Sequence, residues 1–229
     1  MAKNTKEKNP RSKTGWLRLT LELIVVFIGV SAGFLFDNFR EEQSNRKLEY
    51  KYLESFYNNV MADSVEIQNM ILNNQNNIDI TARTVALMQA GTCTNDSALL
   101  ALSVMVTFNN VNLEDATYES VVNSGNLGLI RDFEISEKIV YYYRSHEDMR
   151  YVDKIYSDYI SMYILPYVTK KLDFISGEFV ENFSVNDTEF RNITAGYYTI
   201  SNQKMELVHT LDSLNSDLKN SLAVLVKLD

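Results

Sequence analysis

Leu19 to Phe36, LTLELIVVFIGVSAGFLF, is the one membrane-length apolar stretch in this chain, and it limits the architecture more than any other feature. Counted from Trp16, the segment covers about 31 Å at ~1.5 Å per residue, enough to cross a hydrocarbon core. It predicts a transmembrane helix over 16–36. Inside it lie Gly29-x-x-x-Gly33, a spacing that lets two helix backbones approach, and one carboxylate, Glu22. Asp37 and Asn38 mark the exit.

Charge sets the orientation. Lys3, Lys6, Lys8, Arg11, Lys13 and Arg18 oppose only Glu7 before the span, whereas Arg40, Glu41 and Glu42 mix signs after it. The excess of Lys and Arg predicts a cytoplasmic tail at 1–15 and an exported domain at 37–229, placing the protein in the inner membrane with a periplasmic C-terminal part. Val30-Ser31-Ala32 could pass for a signal-peptide cleavage site, but the apolar run continues through Gly33-Phe34-Leu35-Phe36, which favours a retained anchor.

The net charge of −8 leaves −12 on residues 37–229, after the +5 of residues 1–18 and the single charge of Glu22. An acidic domain of that kind repels nucleic acid and anionic headgroups. A lone cysteine, Cys93, excludes an internal disulfide, and two prolines among 229 residues leave long helices uninterrupted. The expected fold is all-α: the membrane helix, a stalk helix over about 38–90, and an up-and-down bundle over about 95–229.

Along the stalk, Leu53, Tyr57, Val60, Ser64, Ile67, Ile71, Asn74, Ile78, Thr81, Val85 and Met88 alternate in steps of 4 and 3. Such a seam suits either packing within the chain or an intermolecular coiled coil. The run Asn73-Asn74-Gln75-Asn76-Asn77 is the expected place for a break, because asparagine is a poor helix former. Gly91 is a helix stop, and Asn95 or Asp96 can cap the next helix. Further helices are expected over about 97–108, 113–122, 133–168 (capped by Asp132 or Ser136, with a kink at Pro166) and 188–227. The last carries Leu207, Leu211, Leu214, Leu218, Leu222 and Leu225 on one face.

Two stretches resemble a family of single-span envelope proteins widespread in Bacteroidota. Glu22, Gly29 and the exit Asp37-Asn38-Phe39-Arg40-Glu41 are similar to its glutamate-led span and its Asn-Asn-Trp-Asn-Glu exit. Tyr118, then Ser124-Gly125-Asn126-Leu127-Gly128-Leu129-Ile130, then Tyr141-Tyr142-Tyr143 looks like its second signature. The resemblance implies a membrane-anchored helical domain and brings no activity with it.

Chemistry-bearing patterns are sparse. Glu22 can bind an ion or proton, meet another subunit, or pair with Arg18 one turn away. Tyr156, Tyr159, Tyr163 and Tyr167, with Tyr151, form an aromatic stripe that reads as core more readily than as a sugar or peptide site. His146 and His209 lack partners at metal spacing, and no nucleophile elbow, phosphate loop or His-Glu-x-x-His pair occurs. Adjacent carboxylates Glu114/Asp115 and Glu147/Asp148 point apart on a helix. The sequons at Asn95, Asn182, Asn186 and Asn192 are about what composition yields by chance. Asp63-Ser64-Val65, Asp96-Ser97-Ala98 and Asp212-Ser213-Leu214 are similar to a periplasmic O-glycosylation acceptor, with Ser97 the candidate because it falls in an expected turn. No enzyme, cofactor or metal is expected. The leading expectation is a homo-oligomer or an accessory subunit bound to other envelope proteins. The alternatives are an ion-coupled assembly using Glu22, or a sensor with a separate output partner.

Overall fold

The computed structural model describes residues 12–108 and 112–226. The chain is all-α, with helices α1 (Ser12–Gln89), α2 (Asn95–Met105), α3 (Ala116–Asn123), α4 (Phe133–Tyr159), α5 (Leu165–Lys171) and α6 (Thr188–Val226). A hairpin of two-residue strands, β1 (Leu172–Asp173) and β2 (Glu178–Phe179), joins α5 towards α6. The chain divides into two compact units, residues 1–49 and 50–229.

Unit one is helix over its described residues. Its outward apolar side chains are all solvent-exposed, with Trp16 at 77 % and Phe27 at 71 %. The basic residues Lys3, Lys6, Lys8 and Arg11 lie outside the described residues.

In unit two, side-chain hydrogen bonds fix how the helices align. Ser64 meets Asn215 towards the C-terminal end of α6, and Asn74, further along α1, reaches the Ser201 carbonyl nearer the start of α6, so the two helices run antiparallel. Tyr142 to Asn215 and Tyr159 to Ile193 set α4 antiparallel to α6 in the same way. α3 packs back beside α1 through Thr117, whose hydroxyl meets Ser55 and Asn59.

Helix ends follow local chemistry. Gly91, at φ +67°, closes α1: its N–H donates to the Met88 carbonyl while that of Thr92 donates to Leu87. Thr94 caps α2, its hydroxyl accepting from the Ser97 amide, in place of the expected Asn95 or Asp96. Asp132 caps α4 through the Ile135 amide, as expected.

Three expectations change. First, α1 continues through Asn73–Asn77 without a break. The inward carboxamides are engaged across the bundle, Asn74 Nδ2 donating to the Ser201 carbonyl (2.9 Å) and Asn77 Nδ2 to the Tyr197 hydroxyl (3.1 Å), and these bonds outweigh the weak intrinsic penalty of asparagine. Second, the helix expected over 133–168 contains a π turn, Ile160–Ile164, in which the Leu165 amide bonds the Ile160 carbonyl. The wider turn comes just before Pro166, which has no N–H to donate. Third, α1 buries a broader face than the heptad seam, adding Phe56, Asp63, Met70, Asn77 and Thr84. That face is covered within the chain.

Two apolar clusters form the interior. The first gathers Phe56, Val60, Ile67, Ile139, Tyr142 and Leu218; the second gathers Ala98, Met105, Ile160, Tyr167, Phe190 and Tyr197. Between them α1 presents Asn74 and Asn77, α4 presents Asp153, and α6 presents Ser201 and Lys204.

Candidate functional site

Residues 16–36 form a helix long and apolar enough to cross a membrane. Burying a large apolar side chain is worth about 1.5–3 kcal/mol. More than a dozen such groups on this segment face outward, so covering them outweighs the ~5–15 kcal/mol by which a whole domain is stable. Glu22 is exposed and pairs with Arg18 at 3.3 Å, one turn earlier. Gly29 and Gly33 have nothing within 4 Å of where a Cβ would sit, so unit one itself imposes no need for glycine there. Asp37 and Asn38 are exposed on the same helix.

The most concentrated chemistry in unit two is a buried polar node that sequence reasoning missed. Asp63, on α1, accepts the Glu114 amide at Oδ1 (2.8 Å) and the Tyr142 hydroxyl at Oδ2 (2.7 Å). Tyr142 in turn accepts from Asn215 Nδ2 (3.0 Å), and Asn215 Oδ1 accepts from Ser64 (2.6 Å). His146 lies one turn after Tyr142 on α4, its Nε2 3.8 Å from Asp63 Oδ2, with neither ring nitrogen hydrogen-bonded. Burial raises the Asp63 carboxyl above the ordinary carboxylate range, against the lowering effect of its two donors. Burial and then the Arg150 guanidinium lower the His146 imidazole to about 4, so it is neutral at neutral pH. The node is sealed from solvent, with Asp63 and His146 each 1 % exposed, and its hydrogen bonds tie α1, α4 and α6 together.

The tyrosine and Ser-Gly signature builds the surroundings of this node. Tyr118 stacks on Tyr143 with centroids 4.6 Å apart. Gly125, at φ +71°, ends α3, and a 3₁₀ turn over Asn126–Leu129 delivers Ile130 to the core while Asn126 Nδ2 donates to the Tyr52 hydroxyl (2.8 Å). Of the three tyrosines, Tyr142 and Tyr143 are buried and Tyr141 is exposed.

A second polar layer lies further along the bundle. The Tyr156 and Tyr197 hydroxyls are hydrogen-bonded to each other, and Tyr197 also donates to the Val104 carbonyl (3.2 Å). Lys204 Nζ pairs with Asp153 at 2.7 Å and sits 4.7 Å from the centroid of the Tyr156 ring. The aromatic stripe is split by the π turn: Tyr156 and Tyr167 are buried, Tyr159 is half-buried, and Tyr163 joins Tyr151 at the surface.

Ser97 lies in the first turn of α2, half-buried, its hydroxyl 3.1 Å from that of Thr94, and so belongs to a capped helix rather than to the expected turn. Ser64 donates to the Val60 carbonyl and to Asn215 from within the bundle, which removes Asp63-Ser64-Val65 from the acceptor candidates. Asp115 pairs with Arg150 at 2.9 Å, whereas Glu114, Glu147 and Asp148 are exposed. Among the described residues no three His, Cys, Asp or Glu side chains cluster in a way that could hold a metal ion. No protein-family model, curated protein or solved structure matches this chain.

Proposed function

We propose that this is a single-pass inner-membrane protein whose helical unit lies in the periplasm and acts by binding proteins, as a homo-oligomer or as an accessory subunit of an envelope complex. One observation carries the reading: an apolar helix of membrane length, Trp16–Phe36, whose large side chains are exposed throughout. Water is a poor solvent for that surface and a bilayer a good one. The basic residues before it orient the N-terminus to the cytoplasm. The resemblance to single-span envelope proteins of Bacteroidota agrees with this placement. Open space at Gly29 and Gly33 leaves a smooth stripe on which a second membrane helix can pack closely.

An ion-coupled role for Glu22 is the second reading, and its proximity to Arg18 weighs against it. An i,i+4 pair near the end of a span suits the headgroup region better than a conduction path. Pull-down of the intact protein in mild detergent, followed by mass spectrometry, tests the proposal. A second copy of the chain or a reproducible set of envelope proteins should be recovered, equally from wild type and from Glu22→Gln. A strictly monomeric, partner-free protein would contradict it. Full assembly with loss of cellular function in Glu22→Gln would favour the ion-coupled reading.

A further inference from the structure

The interior of unit two changes character at mid-height. Apolar packing gives way to Asn74, Asn77, Asp153, Ser201 and Lys204, and a pocket of about 200 Å³ opens to the surface at that level. Its wall on α1 carries Glu66, Asn69 and Asn73, spaced so that they share one helix face. Opposite stand Tyr156 from α4 and Lys204 from α6, while Phe108, which follows α2, and Met70 and Asn74 of α1 also line it. Among the described residues Glu66, Asn69 and Asn73, at the pocket's outer edge, enter no hydrogen bond or ion pair, whereas Asn74, Asn77, Asp153 and Lys204 are engaged across the bundle.

From this geometry we infer a binding site for one neutral, hydroxyl-rich ring of monosaccharide size. Size comes first: at about 200 Å³ the pocket lies below the ~300–1,000 Å³ of sites for drug-sized ligands and suits a ligand of about one sugar ring. Charge comes second. Lys204 is neutralised by Asp153 at 2.7 Å, so an anionic ligand gains no unopposed cation there, and its own charge would lie close to Asp153. Hydrogen-bonding chemistry comes third. Each asparagine offers two donors and an acceptor and Glu66 offers acceptors only, a set that matches hydroxyls, which donate and accept at once. Phe108 and Tyr156 supply apolar wall for the C–H face of a ring. The asparagine run thus serves two directions: Asn74 and Asn77 tie helices together, while Asn73, joined by Asn69 one turn earlier, faces the ligand.

The test is saturation-transfer difference NMR on the full chain, in a detergent without a sugar headgroup. Glucose, galactose, mannose and N-acetylglucosamine serve as probes, with serine and glutamate as zwitterionic and anionic comparisons. At least one sugar should receive saturation, and at tenfold excess over its Kd it should raise Tm by about 2–5 °C. Glu66→Ala and Asn73→Ala alter side chains with no packing role; each should weaken that sugar at least tenfold while leaving the ligand-free Tm within about 1 °C. Absence of transfer from every sugar would overturn the inference. Transfer from the amino acids alone would do so too, as would sugar binding undiminished in both variants.

Discussion

Replacing Tyr142 with Phe removes one oxygen from the centre of the buried node and leaves the ring packing in place. That oxygen donates to Asp63 Oδ2 at 2.7 Å and accepts from Asn215 Nδ2 at 3.0 Å. A hydrogen bond to a carboxylate is worth about 1.5–3 kcal/mol. The Asn215 amide keeps its bond to the Val60 carbonyl (2.9 Å), so its loss is the smaller part. The expected destabilisation is about 2–3 kcal/mol, or about 4–12 °C in Tm for a domain of this size. Urea unfolding of the full chain in detergent, followed by far-UV circular dichroism, measures it. A double-mutant cycle with Asp63→Asn then isolates the pair. The carboxamide must turn its nitrogen towards either the Glu114 amide or the Tyr142 hydroxyl, both of which donate to the native carboxylate. Tyr142→Phe should therefore cost about 1–2 kcal/mol less in the Asp63→Asn background than in wild type. Additivity of the two substitutions within about 0.5 kcal/mol would refute the claim that they share one node.

His146, lowered to about 4 from 6.5, contributes stability that is complete above pH 6.5 and is lost as pH falls through 6.5 to 4. The gap corresponds to up to about 3 kcal/mol, partly offset by the raised Asp63, whose protonation favours the folded state over the same descent. In urea titrations from pH 7 to pH 4, His146→Phe should flatten the fall by at least about 1 kcal/mol, and an unchanged slope would count against the buried neutral imidazole. Gly125→Ala forces a side chain into a φ of +71° and should lower stability by about 1 kcal/mol in the same assay, with no clash to add to it. Gly29→Ile and Gly33→Ile should weaken self-association in a membrane two-hybrid assay by holding helix axes apart. Association persisting at wild-type strength in both variants would show that the contact does not run through this glycine face.

The long periodic elements were legible because a single physical signal dominates each. Leu211, Leu218 and Leu222 are buried on α6 as their spacing predicts, with Leu207, Leu214 and Leu225 packed at the edge of the same core. Gly91 and Asp132 work as stop and cap because those roles are local. Other features were decided by distant partners. Asparagine propensity predicts a break at 73–77, and only Ser201 and Tyr197, more than a hundred residues away, show why none occurs. Pro166 signalled a disturbance, but the π turn before it, and the rotation of Tyr163 to the surface, depend on how Ile160, Ile164 and Tyr167 are drawn into the core. Asp63 was visible only as part of a short acceptor-like motif, and His146 only as an isolated histidine. Nothing in sequence brings an aspartate on α1 within 3.8 Å of a histidine on α4. The tyrosine pair at 142–143 was the one available clue, since two adjacent phenols on a core-facing helix call for polar partners.

In the proposed topology residues 16–36 anchor the chain and everything after them is exported. Reporter fusions after Asp229 test it most directly: an alkaline phosphatase, active only outside the cytoplasm, and a fluorescent protein that matures only inside. An active phosphatase and a dark fluorescent protein are expected, in a membrane fraction that retains Met1 to Ala32. An inactive phosphatase with a bright fluorescent protein would contradict the orientation and, with it, the proposed function.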